Sequence, residues 1–405
     1  MSFSDGIEQE GSRRSPSVSL VRCESYQYEL VEEAVRTAIS MLGGMESFIK
    51  KGEKVLLKVN LLAGVSPEKA VTTHPSVTKA MAVLILEAGG IPVIGDSAPV
   101  LGSPEKGFRI AGFSEVAGEL GIELLTLKSE KTFKFPQMRY GREFVLSGEL
   151  DEVDHIMSVA KLKSHGLTSL TGVIKNLFGV VPGRNKATYH FTMQDTRIFS
   201  ETLVDLFLLL NPILCVMDGV VGMEGKGPRS GNPREVGAIL ASRDGFALDA
   251  IAAALVKQEY ARLPVLSEAR QRGLLPERLN EIRVLGNTLS EMAIDGFQVP
   301  KSDARYGYNS RLPRWASRWA KNRLTARPVI RTELCTACEG CLKTCPIGAI
   351  DRCEDKIIID EKSCIRCYCC DEACPQGAIK LEKGWLQRVI EGRGPQSRDE
   401  PSITV

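Results

Sequence analysis

Over the first three hundred positions, apolar residues fall into short continuous runs alternating with stripes at helical spacing. Ser19 to Cys23 opens as a strand. Tyr28 to Phe48 carries Leu30, Val31, Ala34, Val35, Ala38 and Met41/Leu42, the period of one buried helix face. Val55 to Val59 is a short run suited to a strand covered on both sides. Thr72-Thr73-His74-Pro75-Ser76 then supplies a cap and a first-turn proline for a helix over 77–88, and Gly89-Gly90 stops it before a strand at 91–94. The alternation continues with strands at 122–126 and 155–159, a helix at 169–178, and a longer helix at 196–210 ended by Asn211-Pro212. Strands at 213–217 and 236–241 and an apolar helix at 246–256, which carries Asp249, complete it. Such alternation with right-handed crossovers predicts an α/β fold class, a mostly parallel, doubly wound sheet domain over 19–298.

The pattern breaks elsewhere. Residues 1–18 hold too few apolar positions to bury a core and are expected to lack structure, and 382–405 form a polar tail. Between 299 and 330 lies a basic connector, with Leu312, Trp315, Ala316, Trp319 and Ala320 on one helical face and Arg311, Arg314, Arg318 and Lys321 on the other. Three roles suit it: docking the following module, meeting an acidic redox partner, or lying on a membrane surface. Residues 301–330 contribute +7 to a net charge of +2, so the rest of the chain carries −5. A mildly acidic body argues against a general nucleic-acid binder. The longest apolar run, 203–217, is interrupted by Asp205, Asn211 and Pro212, so no transmembrane segment is expected. No hydrophobic stretch follows Arg13-Arg14, and the expected location is cytoplasmic.

Ten of the twelve cysteines lie between 335 and 374, which points to metal ligation in a reducing compartment. Cys335, Cys338, Cys341 and Cys345-Pro346 follow the C-x2-C-x2-C-x3-C-P spacing, and Cys364, Cys367, Cys370 and Cys374-Pro375 repeat it. That is the signature of two four-iron, four-sulfur clusters, in which three thiolates of one loop hold three corners of a cube and the fourth comes from the other run. The assignment is therefore Cys335, Cys338, Cys341 and Cys374 for one cluster, and Cys364, Cys367, Cys370 and Cys345 for the other. Cys-Pro-Ile-Gly-Ala-Ile at 345–350 recurs as Cys-Pro-Gln-Gly-Ala-Ile at 374–379, so a pseudo-twofold, small α+β bacterial-ferredoxin-like domain is expected over 331–381. Zinc ribbons also pair C-x2-C units but do not use this third and fourth spacing. Cys353 and Cys369 fall outside the pattern and read as spare or buried thiols.

In open α/β sheets ligands bind beyond the carboxyl ends of the strands, where strand order reverses. The residues expected there are Asn60, Asp96, Ser97, Lys161, Lys163, His165 and Asp218. A basic set, Lys161, Lys163, His165, Lys175, Arg184, Lys186 and His190, is interleaved with Gly166, Gly172, Gly179 and Gly183, whose backbone can approach a ligand. Such a set suits an anionic ligand. The glycine-rich stretch 225–231 lacks Gly-Lys-Ser/Thr and is no phosphate loop; a lid and a plain surface loop both fit it. No dinucleotide fingerprint follows the early strands.

Lys58-Val-Asn60-Leu, Thr72-Thr-His74-Pro75, Gly95-Asp96-Ser97, Lys161-Leu-Lys163-Ser-His165, Lys175-Asn176-Leu-Phe-Gly179 and Asp218-Gly219 occur in this order ahead of the cysteine runs. The combination resembles a prokaryotic iron–sulfur protein family known as a domain of unknown function, and the resemblance implies cluster binding without naming a reaction. The reading is an iron–sulfur oxidoreductase. A low-potential protein partner would exchange electrons with two 4Fe-4S clusters, and an anionic substrate would be held by Asn60, Asp96, Ser97, Lys161, Lys163, Asn176, Arg184, Lys186 and Asp218. His74, His165, His190 and Lys175 are the candidate catalytic groups, the imidazoles supplying protons. The rival is an electron carrier or assembly factor whose α/β domain recognises a partner protein. An additional organic cofactor such as a flavin is a third option.

Overall fold

The computed structural model describes residues 15–62, 64–97, 103–183, 185, 189, 196–300, 326–374 and 376–382. The chain divides into two compact units, Met1–Ala304 and Arg305–Val405.

The larger unit is built on one nine-stranded sheet. Its strands are β1 (Ser17–Arg22), β2 (Lys54–Lys58), β3 (Ile91–Ser97), β4 (Glu123–Leu127), and, after a separate β5–β6 hairpin (Lys131–Lys134 and Glu143–Leu146), β7 (His155–His165), β8 (Ser169–Thr171), β9 (Leu214–Glu224), β10 (Asn232–Ser242) and β11 (Arg283–Gly286). The order is β11-β1-β10-β9-β7-β2-β3-β4, with β8 folded back on β7. Strands β9, β7, β2, β3 and β4 are parallel neighbours, while β10 runs against both β9 and β1. The chain lays down β2, β3 and β4 to one side and then returns to place β7 on the other. Strand order therefore reverses between β2 and β7.

Alternation of side chains divides the core into two. Leu56, Ala160, Cys215, Met217, Ala238 and Leu240 join one cluster, whereas Val55, Leu57, Val159, Val216, Ile239 and Ala241 join the other. Helices α1 (Tyr28–Ser40), α2 (Pro75–Glu87), α3 (Pro104–Ile110) and α4 (Phe113–Leu120) cover the second face. Helices α5 (Val173–Asn176), α6 (Thr196–Leu210), α7 (Gly245–Leu255) and α8 (Pro264–Gln271) cover the first. The sheet is thus doubly wound and mostly parallel, with helices on both sides.

Local details depart from the sequence expectations. Strand β1 begins at Ser17, inside the stretch expected to lack structure. Helix α1 ends at Ser40, ahead of Gly43 and Gly44, which both take positive φ. The segment 169–178 is not one helix: Ser169–Thr171 pairs with β7, Ser169 sits at φ +63°, and only Val173–Asn176 is α-helical. Its apolar residues serve a site buried on several sides, which removes the distinction between strand and helix spacing. Residues 301–325, including the basic connector helix expected around Trp315, lie outside the described residues.

The smaller unit is a duplication with an offset of 29 residues. Strands β12 (Arg327–Ile330) and β13 (Ile350–Cys353) are repeated as β14 (Lys356–Ile359) and β15 (Ile379–Glu382), and helix α9 (Gly340–Thr344) as α10 (Cys369–Ala373). Pairing is crossed, β12 with β15 and β13 with β14, all antiparallel. Left-handed residues recur at the same offset: Ala337 and Arg366, Glu339 and Tyr368, Gly348 and Gly377.

Candidate functional site

At the carboxyl ends of β3, β2, β7 and β9 the buried side chains become polar and join one network. Lys58 ends β2 with no exposed surface and pairs at 3.0 Å with Asp96 of β3, which also accepts the Leu61 and Ser97 backbone N–H groups. Asn176 of α5 donates to the Lys58 carbonyl and to Ser158 Oγ, and its own Oδ1 accepts from Asn60 Nδ2 at 3.3 Å. Asn60 Oδ1 accepts from Lys163 Nζ at 2.6 Å, and Lys163 Nζ also donates to the Val71 carbonyl. Thr73 ties this group to β7 by donating to the Val159 carbonyl and accepting the Asn60 N–H. Seven of the expected residues, Asn60, Asp96, Ser97, Lys161, Lys163, Asn176 and Asp218, stand at this end of the sheet. They flank the point where strand order reverses.

Lys161 and Asp218 are directly opposed in the β7–β9 register and pair at 2.9 Å, both without exposed surface. Tyr26, from the loop before α1, donates to Asp218 Oδ1 at 2.8 Å and accepts from Lys161 Nζ and from the Val221 N–H. Asp218 Oδ2 accepts the His74 backbone N–H, and the Tyr26 and His74 rings stack 3.6 Å apart at 10°. Burial pulls both Lys58 and Lys161 below the usual lysine range, opposed by Asp96 and Asp218 respectively. Burial, then the Asp218 charge, pushes the Tyr26 hydroxyl well above the usual tyrosine value.

His74 caps α2, its Nδ1 accepting the Ser76 N–H at 3.2 Å, which leaves the ring proton on Nε2. Burial lowers its pKa to about 4; Asp218 and Glu68 oppose that shift and Lys161 adds to it. The imidazole is neutral near pH 7, so the proton supply expected of it from the sequence does not fit this environment. What it offers is a neutral Nε2–H donor. His165 Nδ1 likewise accepts two backbone N–H groups, of Leu167 and Thr168, and turns the chain after β7. Lys175 is half-buried on α5. Arg184, Lys186 and His190 lie outside the described residues.

Two of the four glycines make a close approach, but to the protein's own side chains. A Cβ on Gly179 would sit 2.4 Å from Lys58 Nζ, and one on Gly172 2.0 Å from Asp249 Oδ1, whereas among the described residues nothing comes within 4 Å of a Cβ on Gly166 or Gly183. The glycine-rich loop after β9 is pinned, since Ser164 Oγ donates to the Gly225 carbonyl and accepts the Gly227 N–H.

Tyr26, Lys58, Thr73, Ser158, Ser164 and Asp249 are structural members of the site that residue-type reasoning did not select. Asp249 had a signal, a lone carboxylate in an apolar helix. It is buried at the start of α5, accepts the Val173 and Ile174 N–H groups, and burial raises its pKa from 3.8 to about 7. A raised carboxyl pKa favours the protonated folded state, so this group's contribution to stability is present below pH 4 and is lost as pH climbs towards 7. His74, with its depressed pKa, works in the opposite sense between pH 4 and 6.5. Asp249→Asn should therefore leave a protein whose stability rises more steeply with pH across this window, measured by urea unfolding at fixed ionic strength; an unchanged slope would count against the burial of the carboxyl.

In the smaller unit the cysteines surround two separate cavities. Cys335, Cys338, Cys341 and Cys374 line one, and Cys345, Cys364, Cys367 and Cys370, with Cys369, line another. Each wall carries an N–H pointed at sulfur at 3.2 Å, Ala349 to Cys345 Sγ and Ala378 to Cys374 Sγ. Among the described residues no three His, Cys, Asp or Glu side chains converge closely enough to chelate one ion. A single tetrahedral zinc, with Zn–S near 2.3 Å, would draw four sulfurs to about 4 Å of each other. Four thiols around each cavity, with one N–H donated to a sulfur, are a donor set that could hold a 4Fe-4S cluster. Burial pushes the Cys341 thiol up to about 11 and raises Cys364 and Cys370, so cation binding there would release protons.

The family described as Domain of unknown function (DUF362) matches residues 55–254. Over 290 residues the chain is 36% identical to the thylakoid-associated protein sll1697 of Synechocystis sp., covering 70% of this chain and 88% of that protein. The lactate racemase apoprotein from Thermoanaerobacterium thermosaccharolyticum superposes with a TM-score of 0.39 at 10% identity, covering 62% of this chain and 59% of that one, less than two thirds of its length. Among the described residues no helix is long and apolar enough to cross a membrane.

Proposed function

The chain belongs to the DUF362 family, a domain of unknown function, and from that premise we propose that it is an iron–sulfur oxidoreductase acting on an anionic substrate bound at the carboxyl end of its α/β sheet. The observation that carries this reading is the grouping of the cysteines. Each cavity is lined by three thiols of one run and the fourth of the other, the crossed arrangement that two-cluster ferredoxins use. Cys335, Cys338, Cys341 and Cys374 would hold one 4Fe-4S cluster and Cys345, Cys364, Cys367 and Cys370 the second. When bound, each cluster supplies one-electron transfer.

The substrate end is supported by the chemistry of the network. Lys58 and Lys161 have carboxylate partners that fix their positions, and Lys163 is held by Asn60 and the Val71 carbonyl beside them. Three lysines against two carboxylates, with a neutral His74 N–H donor, suit a carboxylate or phosphate. Asn176, Thr73 and Asp218 each tie two or more elements together. A thermal-shift screen of small carboxylates and inorganic phosphate on anaerobically purified protein tests this. At least one anion should raise Tm, and Lys163→Met should remove most of that rise; no shift, or an equal shift in the variant, would argue against an anion site here.

The rival reading, a carrier or assembly factor whose α/β unit recognises a partner protein, draws support from the name of the Synechocystis relative, which records an association and no reaction. It expects salt-sensitive binding to an acidic partner and no small-molecule redox activity.

A further inference from the structure

The 29-residue duplication surrounds both cysteine cavities with the same backbone but lines them with different side chains. Thr336, Glu339 and Gln376 face the first cavity; at the equivalent positions Ile365, Tyr368 and Ile347 face the second. Exposure follows the same division. Thr336, Cys338 and Gln376 are exposed, while Ile365, Cys367 and Ile347 are all half-buried. Tyr368 closes its side by donating from its hydroxyl to the Ala326 carbonyl at 2.9 Å. Glu339 instead pairs with Arg352 of β13 at 2.9 Å. One cavity has a polar rim and an exposed ligand thiol, and the other has an apolar rim with none.

We infer that the two cavities are unequal by construction: the one lined by Cys335, Cys338, Cys341 and Cys374, with its exposed Cys338 thiol and polar rim, is the exchangeable site, and the one lined by Cys345, Cys364, Cys367 and Cys370, with its apolar rim, exchanges slowly. The inference rests on the iron–sulfur reading. Its physical basis is access. A ligand thiol can be displaced only by a competitor that reaches it, and apolar side chains over the rim keep water and charged chelators away.

The test is iron release from anaerobically reconstituted full-length chain, under reducing conditions, to an excess of a ferrous chelator, followed by absorbance and electron paramagnetic resonance. Wild-type protein should lose its iron in two phases of equal amplitude. The triple variant Thr336→Ile, Glu339→Tyr, Gln376→Ile should lose the fast phase and release all its iron slowly. Tyrosine is a fair choice at 339 because Glu339 and Tyr368 share the left-handed backbone, with φ of 61° and 63°. The reciprocal variant Ile347→Gln, Ile365→Thr, Tyr368→Glu should turn the slow phase fast; it keeps every ligand, so the pair of variants separates access from assembly. A single phase in the wild type, or a fast phase unchanged by the first triple variant, overturns the inference while leaving the clusters in place. A chain that takes up no iron overturns the iron–sulfur reading itself and this inference with it.

Discussion

Asp218→Ala is expected to destabilise the larger unit by about 3–5 kcal/mol, the usual consequence of removing one partner of a buried ion pair. The loss is large because Asp218 serves four groups at once. It neutralises Lys161, whose ammonium has no exposed surface, accepts the Tyr26 hydroxyl, and fixes the His74 and Val220 backbone N–H groups. Without it a charged or strongly shifted lysine stays in the interior, and the stacked Tyr26–His74 pair loses its common anchor. The double variant Lys161→Met, Asp218→Ala should recover part of the loss, since removing both charges leaves none unpaired. Urea unfolding of the two variants gives both numbers. A penalty of under about 1 kcal/mol for the single change would mean that the pair is solvated, against the burial seen here.

Cys374→Ala should halve the iron content and empty the site of the other run. Cys374 lies in the second cysteine run, yet its side chain lines the cavity of Cys335, Cys338 and Cys341. Adding Cys335→Ala to it should therefore cost little further iron, whereas adding Cys364→Ala should remove nearly all. An uncrossed arrangement, each run holding its own cluster, predicts the reverse pattern of the two double variants. Total iron and sulfide per chain distinguish the two cases without reference to any substrate.

The doubly wound sheet was legible because its central strands are buried on both faces. Leu56 and Leu57, for example, feed opposite cores, so strand β2 reads as an unbroken apolar run ending at a polar residue. The same reasoning placed Asn60, Asp96, Lys161 and Asp218 at one end of the sheet. It failed where burial on all sides erased the period, as in 169–178, and where strands are short or peripheral, as in β5, β6 and β11. Tyr26 carried no local signal at all: it stands 192 residues from Asp218, and only the assembled sheet brings them together. His74 was legible as a polar residue at a helix start but not in its protonation, which depends on the burial around it and on Asp218 and Lys161. In the smaller unit the repeat was plain in the sequence, whereas the contrast between its two rims needs the positions of Thr336, Glu339 and Gln376 around a cavity.

The central claim, a chain that carries two crossed clusters and an anion-binding α/β unit, is tested most directly by a native mass spectrum of full-length protein purified and measured without oxygen. The account predicts a mass excess of two Fe4S4 clusters over the bare chain, retained in the folded ion and lost on unfolding. A mass equal to that of the chain alone, or to the chain with zinc, would contradict it.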